Sequence, residues 1–213
     1  VPHVPRPLFI VAHMNKTSQK GFTLYELMIT LTIVGMVMAI GVPNMLAYSQ
    51  NSRMTGTAND LHAAFHFARS EASRAKTFIT ICASANSMDA SPTCNGNWED
   101  GYIVFLDLDG DIAVGLDETI LRAVPGLPDG VYMKVVNDAK YFSFAGTGLG
   151  RGQVGATPAL TQVIMCDKRG NIKAAGGNSA ARLFVATPLG RATIQRDLSM
   201  IQEVMDDNTF VCS

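Results

Sequence analysis

Four groups of residues in this chain have types and spacings that could do chemistry: a lone acid, a histidine pair, an acidic loop and a glycine-rich loop. The acid is Glu26. It is the only charged residue between Lys20 and Arg53, and residues 27–46 behind it are all uncharged, a run of the length that spans a bilayer as a helix. A carboxylate just inside lipid is costly unless a partner is supplied, so its natural chemistry is ion pairing when the helix packs against an identical or related helix. Near a helix N-terminus it also interacts favourably with the helix dipole.

The other three groups point to little chemistry. His62 and His66 lie one helical turn apart, a metal-compatible spacing, but His-Ala-Ala-Phe-His lacks the glutamate of zinc hydrolases. They read as two solvated helix histidines. Asp107-Leu-Asp109-Gly-Asp111, with Glu118 at the twelfth position, has the acid spacing of an EF-hand, but Ile112 stands where that loop needs glycine and strands flank it. It reads as an acidic hairpin turn, with adventitious calcium as the minor alternative. Gly150-Arg-Gly152-Gln-Val-Gly155 has dinucleotide spacing, but Thr157-Pro158 follows where a helix must start, so it reads as a flexible loop. No Gly-x-Ser-x-Gly or Walker motif occurs. No motif calls for a metal or a cofactor, and an enzyme reading has no catalytic set to stand on.

The elements that position these residues follow from charge and period. Formal net charge is −1, but residues 1–21 carry Arg6, Lys16 and Lys20 and no acid, leaving 14 bases against 18 acids in the remainder. A short basic head before an apolar run is the signal that keeps the head cytoplasmic. The run is too long for a cleaved secretory signal and no small-x-small site follows it. After Arg53 the apolar residues Met54, Ala58, Leu61, Phe65, Ala68 and Ala72 step by three and four, a narrow helical stripe. Arg69, Glu71 and Arg74 lie off that stripe and are expected in solvent. One helix is expected over residues 22–76, its first half in lipid and its second packed on the following domain.

Beyond Lys76 the period shortens. Residues 78–83, 102–107, 119–124, 131–136, 141–144, 162–166, 182–187 and 192–196 read as short strands separated by Gly, Pro, Asn and Asp clusters. Strands joined by turns without intervening helices imply an antiparallel sheet, hence an α+β lollipop with a helical stalk and a β-rich head. Four cysteines, Cys82, Cys94, Cys166 and Cys212, all lie beyond the apolar run and lack zinc spacing. They suggest two disulfides in an oxidising compartment, with three pairings open. Cys82–Cys94 across a Ser/Asn/Pro-rich loop and Cys166–Cys212 at the C-terminus is the favoured one.

Lys20-Gly21-Phe22-Thr23-Leu24-Tyr25-Glu26 resembles the prepilin peptidase site of type IV pilins and type II secretion pseudopilins. The resemblance implies cleavage after Gly21, N-methylation of Phe22, and a Glu26 that meets the N-terminal amine of a neighbouring subunit during assembly. Pro43, in Val42-Pro43-Asn44, matches many pilins and leans towards pili, and a proline there is expected to kink or locally melt the helix. Met14 would begin "MNKTSQKG", a leader typical of that family. Residues 1–13 are therefore expected to be mis-assigned or disordered, the leader proper being 14–21. The expected organisation is a leader over 1–21, a transmembrane and assembly half-helix over 22–48, an amphipathic half over 49–76 and a head over 77–213.

In the head, Ala68-Arg69-Ser70-Glu71-Ala72, Trp98, Gly101-Tyr102, Phe105 and Gly190-Arg191 are similar to the GspH/FimT family of minor pilins and pseudopilins. That resemblance implies a structural or priming subunit of a type IV pilus. It would be a substrate of prepilin peptidase held in the inner membrane with its head in the periplasm. Its partners would be other minor and major pilins and the inner-membrane assembly platform. A type II secretion pseudopilin is the first alternative. A DNA-binding minor pilin for natural transformation is the second, since some relatives use a C-terminal Gly-Arg-x-Arg. Here Gly190-Arg191-Ala192-Thr193 lacks the second arginine, and Arg182, Arg196, Lys168 and Arg169 are the remaining candidates to gather around Arg191.

Overall fold

The computed structural model describes residues 21–174 and 176–212; the leader start at Met14 and everything expected of residues 1–20 lie outside them. The chain divides into two units between Met45 and Leu46. In the first unit the described chain is the N-terminal part of α1, Leu24–Ala75. Its large apolar side chains, from Leu24 and Leu27 to Ile40 and Met45, are all exposed. Its polar side chains bond within the helix: Thr30 donates to the Leu27 carbonyl at 2.9 Å, Thr32 to Met28 at 2.8 Å and Asn44 to Ile40 at 3.1 Å. An apolar helix with self-satisfied hydroxyls is what lipid demands, because no water is present there to take an orphaned donor.

The second unit begins with the remainder of α1 and continues through eight strands and a second helix. The strands are β1 (Phe78–Ala83), β2 (Gly101–Asp107), β3 (Ile120–Pro125), β4 (Val131–Val135), β5 (Tyr141–Phe144), β6 (Gln162–Asp167), β7 (Arg182–Ala186) and β8 (Ala192–Gln195). They form two four-stranded sheets, ordered β3-β2-β1-β5 and β4-β6-β7-β8, and every strand pair is antiparallel. Side chains alternate faces along a strand, and here both faces find cover. Ile79, Ile81 and Ala83 of β1, Tyr102 and Val104 of β2, and Phe142 and Phe144 of β5 enter one core with Met54, Ala58, Leu61, Phe65, Ala68 and Ala72 of α1. Val163 and Met165 of β6 and Phe184 and Ala186 of β7 enter the same core from the second sheet. Phe65 joins the two sheets, its ring 4.9 Å from Phe142, 6.0 Å from Phe144 and 4.7 Å from Phe184.

The outer faces have separate covers. Cys82, Ile103, Phe105 and Tyr141 of the first sheet pack under Cys94 and under Ile112 and Val114 of the β2–β3 loop. Ile164, Cys166 and Leu183 of the second sheet pack under α2, Leu198–Asn208, through Ile201, Val204 and Met205. Nothing in the sequence reading anticipated α2. Asp197 starts it, its carboxylate accepting from the backbone N–H of Ser199 and Met200 at 2.9 and 3.0 Å, an N-cap that satisfies two of the first orphan donors.

Two further expectations change. α1 runs unbroken through Pro43, so no local melting occurs there; the proline removes one N–H donor from the helix. Arg69 is half-buried rather than solvated, and donates to the Gly190 carbonyl at 3.1 Å.

Candidate functional site

The N-terminal turn of α1 is built by Thr23 and Glu26. Thr23 Oγ1 accepts from the Glu26 backbone N–H at 3.2 Å, while Glu26 Oε2 accepts from the Thr23 N–H at 2.9 Å and its hydroxyl at 3.0 Å. This is a capping box: the two ends of Thr-x-x-Glu satisfy each other's orphan donors and fix where the helix starts. Sequence reasoning missed it, although the four-residue spacing was visible. Glu26 therefore has a local structural role beside any pairing with another chain. Both recorded bonds fall on Oε2; among the described residues, none falls on Oε1.

Gly21, Phe22 and Thr23 precede the helix as irregular chain. Phe22 is 90% exposed, and a Cβ built on Gly21 would meet nothing within 4 Å. The peptide bond between Gly21 and Phe22 is thus accessible, and the helix begins close enough that an amine at Phe22 would sit one residue from the Thr23–Glu26 box.

The cysteines pair as Cys82–Cys94 and Cys166–Cys212. The first pins the β1–β2 loop onto β1, and the second ties the chain beyond α2 to β6. The histidines face each other on α1 with Nε2 atoms 3.2 Å apart, and His62 Nε2 lies 3.2 Å from the Ala192 carbonyl. His62 is half-buried and His66 exposed, so the pair is only partly solvated.

The basic residues do not make one surface. Arg182 is 3% exposed, and its Nη1 donates to the carbonyls of Ser179, Ala180 and Ala181 at 3.1, 2.9 and 3.0 Å. Burial, with Arg196 and Arg169 nearby, lowers its pKa to about 10. Arg169 is spent on Asp167, with contacts of 3.0 and 2.6 Å. Arg191 lies elsewhere. The β7–β8 register pairs Ala186 with Ala192 and Leu183 with Gln195, which puts Arg191 at one end of the hairpin and Arg182 and Arg196 at the other. At about 3.4 Å per residue the five-residue length of the hairpin separates them by roughly 17 Å. Only Lys168 and Arg191 of the five are exposed, so the expected gathering is corrected: Arg182 is a structural arginine and does not join Arg191 in one surface. Gly190 itself is structural, with φ 72 and a backbone that a Cβ would bring to 2.8 Å from the Gly148 carbonyl oxygen.

The family model described as type II transport protein GspH matches residues 57–190. The chain belongs to the GspH family. A second model, the prokaryotic N-terminal methylation motif, matches residues 16–42, which includes the Gly21–Phe22 bond, Glu26 and most of the apolar run of α1. The chain is 26% identical over 136 residues to type IV major fimbrial protein FimA of Dichelobacter nodosus, covering 59% of this chain and 85% of that protein. Two crystal structures of type IV minor pilin FimU from Pseudomonas aeruginosa are also similar. One is 17% identical with TM-score 0.44, covering 71% of this chain and 94% of FimU. The other is 18% identical with TM-score 0.40, covering 66% and 91%. Within the GspH-matched region the resemblance residues have visible work: Arg69 holds Gly190, Trp98 Nε1 donates to the Ala139 carbonyl at 2.7 Å, and Phe105 fills the outer face of β2.

Proposed function

We propose that this GspH-family chain is a minor pilin, a structural or priming subunit of a type IV pilus. On this reading prepilin peptidase cuts after Gly21 and Phe22 becomes the N-methylated terminus. The apolar half of α1 holds the protein in the inner membrane with the head in the periplasm, until the assembly platform moves it into a filament with other minor and major pilins. The observation that carries the reading is the Thr23–Glu26 box beside an exposed Gly21–Phe22 bond. Oε2 is committed to Thr23, which leaves the carboxylate charge and Oε1 to a neighbouring subunit's N-terminal amine. Val42-Pro43-Asn44 favours a pilus; the description of the matched family favours a type II secretion pseudopilin, which shares the same helix chemistry.

The test separates capping from charge. Glu26→Gln keeps an acceptor for Thr23, since glutamine serves in a capping box, and removes only the charge; Glu26→Ala removes both. Both variants should be cleaved and inserted as the wild type is. An intramembrane ion pair worth a few kcal/mol predicts that Glu26→Gln enters filaments about ten- to a thousandfold less, at about 1.4 kcal/mol per decade. The readout is the amount recovered in sheared surface filaments from equal amounts of processed protein. Equal incorporation of Glu26→Gln and wild type would refute the pairing role. Recovery of wild type only from the cell envelope would replace the pilus by a secretion filament.

A further inference from the structure

The β2–β3 loop gathers what its sequence only spaced out. Asp107, Asp109 and Glu118 each bring a carboxylate oxygen to within 4.8 Å of the others, at the first, third and twelfth positions of the loop. Residues 107–118 contain five acids and no base. Hydrogen bonds shape the loop: Glu118 Oε1 accepts from the Leu108 N–H at 2.6 Å and Oε2 from Gly115 at 2.8 Å, while Asp111 Oδ1 accepts from Ala113 at 2.8 Å. The sixth position, Ile112, adopts φ 66, the left-handed conformation for which EF-hand loops keep glycine.

The independent observation is Asp107. It is fully buried. The sheet uses its Oδ2, which accepts from Thr80 Oγ1 at 2.6 Å and lies 3.7 Å from Arg151 Nη1. Its Oδ1 is buried and, among the described residues, has no hydrogen-bond partner. A buried carboxylate oxygen without a donor carries a large desolvation cost, and two further carboxylates beside it raise that cost. Arg151 pairs with the carboxylate through Oδ2 but gives Oδ1 no hydrogen bond, because its guanidinium is placed by Ser143, by the Gly110 carbonyl at 3.0 Å and by the Phe78 ring 4.1 Å away. A cation among the three carboxylates would neutralise the cluster, and one that reaches Oδ1 would also supply its missing partner.

We infer that Asp107, Asp109 and Glu118 form a calcium site that locks the β2–β3 loop over the outer face of the first sheet. The donors are all hard oxygens, the class that calcium takes, and calcium tolerates the irregular geometry of a loop where magnesium demands near-octahedral order. With three carboxylates and a guanidinium close to one of them, affinity falls in the range of extracellular modules, a Kd of about 10⁻⁴–10⁻³ M. The same loop carries Ile112 and Val114, which cover Cys82 and Phe105, so calcium would stabilise the head and not only the loop.

The experiment titrates the full chain in detergent micelles with calcium chloride, by calorimetry and by thermal melting. Wild type should bind one calcium in that range and melt roughly 3–10 °C higher at 10 mM calcium. Asp107 is buried in the sheet, so the variants avoid it. Asp109→Asn, at an exposed position, should weaken binding at least tenfold without lowering the calcium-free melting temperature. Asp117→Asn removes the same charge from the same loop but lies outside the trio, and should bind as wild type does. Absence of binding at 10 mM calcium would overturn the site, as would wild-type affinity in Asp109→Asn. Equal weakening by both variants, or equal heat with magnesium, would mean diffuse counterion attraction and would also overturn it.

Discussion

Replacing both Cys166 and Cys212 by alanine removes the tie that holds the chain beyond α2 to β6. The two cysteines are 46 residues apart in sequence, and Cys82 and Cys94 are 12 apart. Loop-closure entropy then assigns about 4 kcal/mol to the first disulfide and about 3 kcal/mol to the second. The longer loop should therefore cost about 1 kcal/mol more to open. Urea unfolding of the full chain in micelles, followed by the fluorescence of its one tryptophan, measures both. Trp98 is buried in the head core, so its signal reports the global transition. Amide exchange in α2 adds the local reading. Without its tether that helix keeps Ile201, Val204 and Met205 against the sheet and the Asn171 bonds to Leu198 and Gln202, and its protection should fall before that of β6. Two results would refute the reasoning. One is a Cys82/Cys94 double variant that loses as much stability as the Cys166/Cys212 variant or more; the other is unchanged α2 exchange once Cys166–Cys212 is gone.

Phe65→Ala removes the ring on which both sheets meet α1 and should cost about 3–5 kcal/mol, against little for half-buried Phe67; chemical denaturation of both variants checks the contrast. A pH dependence centres on His66: its side chain is exposed, yet the partial desolvation of its ring first, and His62 and Arg69 beside it, push it below the ordinary histidine value of 6.5. The unfolded chain then takes up that proton more readily. Stability is full above about 6.5 and declines as pH falls through the window below it. The head should melt lower at pH 5.5 than at pH 7.5, and His66→Asn should flatten that slope; an unchanged slope would remove His66 as its source.

Strands were legible because each carries β-branched or aromatic residues bounded by turn formers, and β1 and β5 begin and end where the pattern changes. The α1 stripe from Met54 to Ala72 was legible for the same reason at a different period. Failures came where a residue's type does not disclose its surroundings. Arg182 reads as a surface charge in sequence, and only the turn at Ser179–Ala181 shows it bonded to three carbonyls. Arg191 and Arg196 look adjacent along the chain, yet the hairpin register sets them at opposite ends. α2 was missed although Asp197 followed by Ile201, Val204 and Met205 is a capped amphipathic turn; its several acids hid the spacing. Glu26 stands out in sequence by its charge, whereas the box it closes needs Thr23 as well.

The order of the strands has a consequence for how the head comes into being. β1, β2 and β3 lie in the first sheet, β4 in the second, β5 back in the first, and β6 to β8 again in the second. A chain made N-terminus first can complete the first sheet once β5 exists, but β4 pairs only with β6 and waits for it with open edges. Unpaired edges of that kind recruit other chains, and pairings between distant segments form slowly because loop closure precedes any gain. Folding of the second sheet is thus governed by the last quarter of the polypeptide. A head truncated before β6 leaves β4 as a strand without a neighbour, so loss of the C-terminal strands exposes a site for association with other unfinished copies.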